Sequence, residues 1–351
     1  MKEIGSEFPD YPKEFGKNSY FDLIKGEKRY ILSGRTALAC VAADMIEKHN
    51  IRCVALPAYC CASMVYPFYN KGIKVVFYNN VIAPETEAVF NQADAVLVMD
   101  YFGFSRPITC EIAGLCKSMN KLLIVDATQT AFSRLPHYDM ADYIIVSHRK
   151  WTDSLSASMY CREGFCISEC TASCKEYINI WRSAAKEKAE FLSSGEGDKQ
   201  HFLDLYGKAN RMLVTNYENM SAQPEEIEHF ENLDSDELRR KRRENAGFLL
   251  NGLTEIEDRR LSVPFKYMKK EDCPLFVPVL VDRNIRIKLR QILREHDIYC
   301  PMHWAVDTNY PHCTTLFHET ELSLICDQRY EIADMQRELD VFTKALKQVP
   351  D

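Results

Sequence analysis

Three short stretches carry residue types whose spacing can support chemistry. In IIVSHRKWTDS, residues 144–154, Lys150 follows the apolar run Tyr143–Val146. A run of that kind reads as a strand buried on both faces of a parallel sheet, and open α/β sheets bind ligands beyond their strand ends. An amine placed there can form an imine with a carbonyl and move protons; otherwise it is a solvated loop lysine beside Arg149. In LLIVDATQT, Asp126 closes a second apolar run and Gln129 follows three residues later. This carboxylate can hold a proton on a heteroaromatic nitrogen, or serve as a cap or a loop ion pair. In ILSGRTALACVAADM, Ser33 and Gly34 precede a helical pattern, so backbone amides, the helix dipole and the Thr36 hydroxyl offer an anion site. Ser-Gly also begins many helices merely as a cap.

The elements that must position these residues alternate along the chain. Val54–Leu56, Val75–Tyr78, Ala95–Met99, Leu122–Val125 and Tyr143–Val146 are apolar runs of strand length. Between them Leu38, Val41, Ala42, Met45 and Ile46, and again Ile112, Leu115 and Cys116, recur at helical spacing. Strand and covering helix in turn predict an α/β domain. Past residue 183 the pattern becomes charged helical stretches around the loop SSGEGDKQ. The last third reads as helix, strand FVPVLV, helix, strand IYCPMHW and a final helix. This predicts a large domain over residues 1–240, with its N-terminal segment, and a smaller α+β domain over 241–351.

Composition narrows the function classes. The 351 residues are 46% hydrophobic and 27% charged, enough apolar material for a large core. A formal net charge of -7 opposes nucleic-acid binding, which needs a positive surface. The basic run RRKRR, 239–243, reads as a solvated helix face, with an anionic ligand or partner as the alternative. No secretory signal and no membrane span is read from the sequence, so a cytoplasmic location is expected. The 14 cysteines lie scattered in apolar segments and read as buried thiols. Cys161, Cys166, Cys170 and Cys174 cluster without paired metal-ligand spacing, and the last three would share a helix face, so no metal site is expected. There is no G-x-G-x-x-G or phosphate-binding P-loop for a dinucleotide or a nucleoside triphosphate.

A helix N-terminus for a phosphate, an acid for a pyridine nitrogen and a lysine for an imine are what pyridoxal 5'-phosphate requires of its protein. The segments SGRTAL, LPAYCCASMVYPFYNKGIKVVFY, DYFGF, IVDATQ and SHRKW resemble successive motifs of the DegT/DnrJ/StrS family of sugar aminotransferases. RRENAGFLL, PVLVDRNIRIKLRQIL, IYCPMHW and CDQRYEIADM resemble a divergent branch of it. The resemblance covers most of the chain. It implies a fold-type I pyridoxal-phosphate-dependent transferase with a mixed, mostly parallel sheet of the seven-stranded type. It also implies a homodimer with sites at the subunit interface, and amino transfer from a donor such as glutamate to a nucleotide-linked keto sugar.

Carried over residue by residue, the resemblance gives Lys150 the Schiff base and Asp126 the pyridine nitrogen. Gln129 falls on the phenolic oxygen, and Gly34, Arg35 and Thr36 on the phosphate turn. Ser147 resembles a phosphate-contacting serine, although the family places it five residues before the lysine, where this chain has Ile145. The ring-stacking aromatic falls on Cys61, with Tyr59 two residues earlier as the other candidate. WTDSLSASMY stands where the family has a glycine-rich turn. His303 falls on a substrate-side loop, with a structural histidine as the alternative. Asn210 and Arg211, in YGKANRM, fall on a loop region that crosses to the partner's phosphate site. Another reaction on a sugar, such as dehydration, or a degenerate regulator or scaffold are the competing functions; Lys150 and Asp126 favour amino transfer.

Overall fold

The computed structural model describes residues 3–10, 16–18, 25–133 and 135–350. After the short strand β1 (Ile4–Gly5), the larger unit runs β2 (Glu27–Ile31), α1 (Gly34–His49), β3 (Cys53–Pro57), α2 (Ala62–Tyr69), β4 (Lys74–Tyr78), α3 (Pro84–Gln92), β5 (Ala95–Val98), α4 (Pro107–Ser118), β6 (Leu122–Asp126), β7 (Tyr143–Ser147) and β8 (Ala157–Cys161). Seven of these strands form one sheet in the order β2-β8-β7-β6-β5-β3-β4. The five from β7 to β4 are parallel, and β8 is antiparallel to both neighbours.

The apolar runs are continuous because the pleat sends alternate residues to two cores. Val54, Leu56, Ala95, Leu97, Ile124, Tyr143 and Ile145 enter one core, while Cys53, Ala55, Val96, Val98, Leu123, Val125, Ile144 and Val146 enter the other. Each large aliphatic side chain so buried contributes about 1.5–3 kcal/mol. α1 is set at both ends. Ser33 caps its start by accepting from Thr36 N, and Asn50, at φ 51, turns the chain out while its N–H reaches Ile46 O and Met45 O.

The chain continues as α5 (Lys175–Ser194), α6 (Lys199–Thr215), α7 (Pro224–Glu231), α8 (Ser235–Thr254), β9 (Leu261–Ser262), β10 (Phe276–Val281), α9 (Arg283–Glu295), β11 (Ile298–Tyr299), α10 (Leu316–Thr320), β12 (Glu321–Ile325) and α11 (Ile332–Gln348). β12-β10-β9 form an antiparallel sheet, and β1 pairs in parallel with β11. The 240/241 division falls inside α8, and Ile4–Gly5 is bonded to the C-terminal part of the chain.

Four expectations change. IYCPMHW supplies only a two-residue strand, and Cys300–Trp304 leave it irregularly. YGKANRM is helical, inside α6. Cys166, Cys170 and Cys174 share no helix face, because the chain from Arg162 to Cys174 is irregular, pinned by Asp44 to the amides of Cys166 and Ile167. The RRKRR run is a solvated face chiefly at Arg240, which is exposed and ion-paired to Glu237 and Glu244. Arg239 and Arg243 donate to backbone carbonyls of Phe132, Glu271, Lys269 and Asp272, and Arg242 is buried over the Trp151 ring. Arginine suits that work, since its planar fork serves several carbonyls at once. No helix among the described residues is long and apolar enough to cross a membrane, and no group of metal-ligating side chains occurs among them.

Candidate active site

Parallel strands deliver side chains to one edge, and here β6 and β7 end side by side, with Asp126 paired to Ile145. The chain leaves β7 in a 3-10 turn, His148–Lys150, closed by Trp151 N donating to His148 O at 2.8 Å. The N-terminus of α1 abuts the same edge. A Cβ on Gly34 would lie 3.3 Å from Ser147 Cβ and 4.0 Å from Thr128 Oγ1, so glycine permits the helix end to sit directly over the two strand ends. With Ser33 Oγ taken by Thr36 N and Ser33 O by Ala37 N, the amides of Gly34 and Arg35 are the orphan donors of this end. Ser147, three residues before the lysine, borders that site. Ile145 is buried in the core beneath the sheet and cannot contribute.

Thr128, which the sequence reading passed over within DATQ, binds the site together. Its N–H donates to Asp126 at 2.9 Å, its Oγ1 accepts from Ser147 N at 3.2 Å, and its carbonyl accepts from Trp151 Nε1 at 2.7 Å. Asp126 is buried, and desolvation raises its pKa against the bonds from Thr128. A cation brought to this carboxylate would restore its charge.

Lys150 remains open to solvent yet is closely surrounded by protein, and desolvation lowers its pKa. Arg149 and Arg35 push the same way, while Glu7 from the N-terminal segment and Cys61 oppose them. Cys61 begins α2, 2.8 Å from Ser63 Oγ, and its thiol feels both Lys150 and Asp126. Tyr59 points elsewhere. Its hydroxyl donates to His303 O at 2.8 Å, and its ring packs among Tyr101, Trp304, Phe317 and His318. Cys61, not Tyr59, therefore borders the Lys150–Asp126 site.

The remaining candidates divide. Gln129 Oε1 accepts from Phe102 N at 2.7 Å, which leaves its NH2 as the group for a ligand. The Arg35 guanidinium lies 5.5 Å from the centre of the Tyr66 ring. Asn210 accepts from Arg149 Nη1 at 3.3 Å within the same chain, and Arg149 lies over Trp181. Arg211 is exposed one position further along α6. His303 N–H and Nδ1 face Glu321 at 2.6 and 3.3 Å and its ring meets Phe276 and Trp304, contacts of the structural kind.

Neither a protein-family model nor a curated protein matches the chain. Solved structures do. Helicobacter pylori PseC, an aminotransferase involved in the biosynthesis of pseudoaminic acid, superposes with a TM-score of 0.69 at 14% identity, over 99% of this chain and 100% of that one. Spr1654 from Streptococcus pneumoniae in its PLP form gives 0.65 at 12% identity, over 99% and 100%. A DegT DnrJ EryC1 StrS aminotransferase from Brucella abortus gives 0.60 at 13%, over 96% and 91%. The chain thus has the fold of the pyridoxal-phosphate-dependent transferases of fold type I, with the sheet that the resemblance implied.

Proposed function

We propose that this protein is a pyridoxal-phosphate-dependent aminotransferase that moves an amino group from an amino acid, glutamate in the first instance, to a nucleotide-linked keto sugar. The observation that carries this reading is the convergence of Asp126, Lys150 and the uncapped amides at Gly34 and Arg35 on one sheet edge, joined through Thr128. These residues fit the cofactor, because a buried carboxylate without a cation, a lowered-pKa amine and a helix N-terminus are complementary to its ring nitrogen, aldehyde and phosphate. PseC, which has the same fold and is an aminotransferase involved in the biosynthesis of pseudoaminic acid, supports the substrate class. The setting proposed is a cytoplasmic one, in glycan or polysaccharide precursor synthesis.

When bound, pyridoxal phosphate supplies the aldehyde carbon that carries the amino group and a ring that accepts electron density. The protein does the rest. Gly34, Arg35 and Ser147 hold the phosphate, and Thr36 secures the turn through Ser33. Asp126 holds a proton on the ring nitrogen and Gln129 donates its NH2 to the phenolic oxygen. Cys61, whose thiol feels both Lys150 and Asp126, would border the bound ring where the family pattern has an aromatic side chain. Lys150 would be the amine that holds the cofactor's aldehyde carbon and the group that moves the proton at the donor Cα. Its lowered pKa favours the neutral amine that both tasks need.

A homodimer belongs to the same proposal. Leu203, Gly207, Arg211 and Val214 share a face of α6, and Leu203 and Val214 are exposed. Such a stripe suits a partner subunit, with Arg211 directed to the partner's phosphate. Asn210, bonded to Arg149 of its own chain, positions the residue next to Lys150.

The test is spectroscopic and chemical. Purified protein reconstituted with pyridoxal phosphate should absorb near the visible edge, lose that band with glutamate, and after borohydride reduction carry the pyridoxyl group on Lys150 in peptide maps. A band indifferent to every amino acid, or an adduct on another lysine, refutes the assignment.

A further inference from the structure

The segment WTDSLSASMY forms a polar lattice behind the Lys150 turn. His148 is buried, its ring stacked on Phe230 at 3.5 Å and 4°. Nδ1 lies 2.7 Å from Ser156 Oγ and Nε2 lies 3.1 Å from Ser158 Oγ. Ser156 Oγ lies 2.7 Å from Ser154 Oγ, which donates to Glu226 O at 2.8 Å.

Donor accounting fixes the proton positions. A carbonyl only accepts, so Ser154 spends its proton on Glu226 O and its oxygen accepts from Ser156. Ser156 has then used its own proton, and its oxygen must accept from His148 Nδ1–H. Desolvation lowers the His148 pKa well below the ordinary imidazole value, so the ring is neutral and Nε2 accepts from Ser158. The far end of the lattice is clamped as well. Arg182 grips Glu226 and Asp153 with bonds of 2.6–3.0 Å, His229 lies 2.5 Å from Asp153, and Leu155 N donates to the Glu226 carboxylate. α5 and α7 thereby hold residues 153–156, and these hold His148.

We propose that His148, fixed as the Nδ1–H tautomer by Ser154, Ser156 and Ser158, is a positioning residue that sets the turn presenting Lys150 to the cofactor. The proposal rests on the function argued above. Its mechanics are those of the backbone: His148 N donates to Ser156 O, and His148 O receives both Trp151 N and Thr152 N, so the imidazole anchors the residue around which the turn is wound. A serine lattice and a buried ring here replace the conformational control that a glycine-rich turn would exert beside the lysine.

The test compares wild type with His148→Phe, which keeps the ring stack and loses both polar contacts, and His148→Gln, which can donate and accept. In cofactor-free protein, acetic anhydride labelling of Lys150 is followed against pH by peptide mapping, with exposed Lys186 as the internal reference. A loosened turn draws the amine away from the protein that crowds it and from Arg149 and Arg35, which together lower its pKa, so in His148→Phe the Lys150 titration should move up by about one pH unit, roughly a tenfold loss of free amine at neutral pH. His148→Gln should stay near wild type. In loaded protein the pH titration of the absorbance band should shift in the same order. A folded His148→Phe with the wild-type Lys150 titration, or a Gln variant no better than Phe, overturns the proposal. Should His148→Phe fail to fold, Ser158→Ala removes the Nε2 donor alone, and an unchanged Lys150 titration there overturns it equally. Wild type that never takes up the cofactor defeats the aminotransferase reading instead, and leaves the Lys150 comparison intact.

Discussion

Asp126 sits where burial opposes its charge and only Thr128 bonds favour it, so in the cofactor-free protein its carboxyl is held above the usual carboxylate range. A protonated pyridine nitrogen at that oxygen would reverse the shift by direct attraction. Asp126→Asn keeps the size and can still accept from Thr128 N, while it cannot hold the ring proton. The variant should therefore fold with near-normal stability and lose at least about a hundredfold in the glutamate half-reaction, the lower range for a positioned proton-holding group. Single-turnover absorbance with a melting curve on the same sample decides it; a normal half-reaction rate removes Asp126 from the site. Lys150, Asp126 and the Ser33–Thr36 turn were legible because each stands at the end of a periodic element, and strand ends are where sheet chemistry gathers. Thr128 and His148 were not. Their partners lie in contacts between segments, and a threonine or histidine within an apolar neighbourhood has no local signature that separates a hub from a filler.

At the scale of elements, the turn Asp100–Phe104 shows how the small sheet reaches the site. Phe102, at φ 60, gives its N–H to Gln129, and Gly103, at φ 86, is pressed against the backbone of 273–275, with its carbonyl accepting from Cys273 N. A Cβ on Gly103 would lie 2.0 Å from Cys273 O, a contact no rotamer relieves. Gly103→Ala should cost on the order of 2–4 kcal/mol, from overpacking and the left-handed backbone together. Chemical denaturation would measure it, and a loss below about 1 kcal/mol, the size of a tolerated surface change, would show that the turn is free to move. α11 offers a pH test. Glu338 is buried, accepts from Ile325 N at 2.9 Å, and desolvation pushes its pKa from 4.5 up to about 8. A raised folded pKa means that its contribution is full below the unfolded value and is lost as pH climbs through 8. Wild type should weaken between pH 6 and about 9 more than Glu338→Gln does, by denaturation midpoints at each pH. Parallel slopes for the two proteins would show that the carboxyl is ionised throughout. The parallel strands were readable from their apolar runs. β2, EKRYI, was missed because it is a half-exposed edge strand rich in charge, β8 because the polar Ser158 interrupts the fully buried run ASMYC, and β12 because ELSLI begins with the buried Glu321 that holds His303.

At the scale of the whole molecule, the open matter is how much of the site one chain completes. The N-terminal segment, through Glu7, and the sheet edge bring charge of both signs to Lys150 from within the chain, and Asn210 is bonded there too. Arg211 is not. A helix turns 100° per residue, so placing Asn210 inward on Arg149 sends Arg211 outward, between the exposed side chains of Leu203 and Val214. YGKANRM resembles a loop in the family motif, and its helical form makes the outward direction of Arg211 rigid, which suits a contact with a second subunit better than a mobile loop would. Complementation measures this directly. Lys150→Ala and Arg211→Ala chains, each inactive alone, are unfolded together, refolded and assayed for amino transfer. If Arg211 serves the partner's phosphate, a mixed dimer keeps one site with both groups, and random pairing in a symmetric dimer should return up to about a quarter of wild-type activity. If Arg211 serves its own chain, each mixed dimer has two damaged sites and nothing returns. A fully active Arg211→Ala protein, an active species that sediments as a monomer, or exchanged chains that stay inactive would each remove Arg211 from the partner's phosphate site.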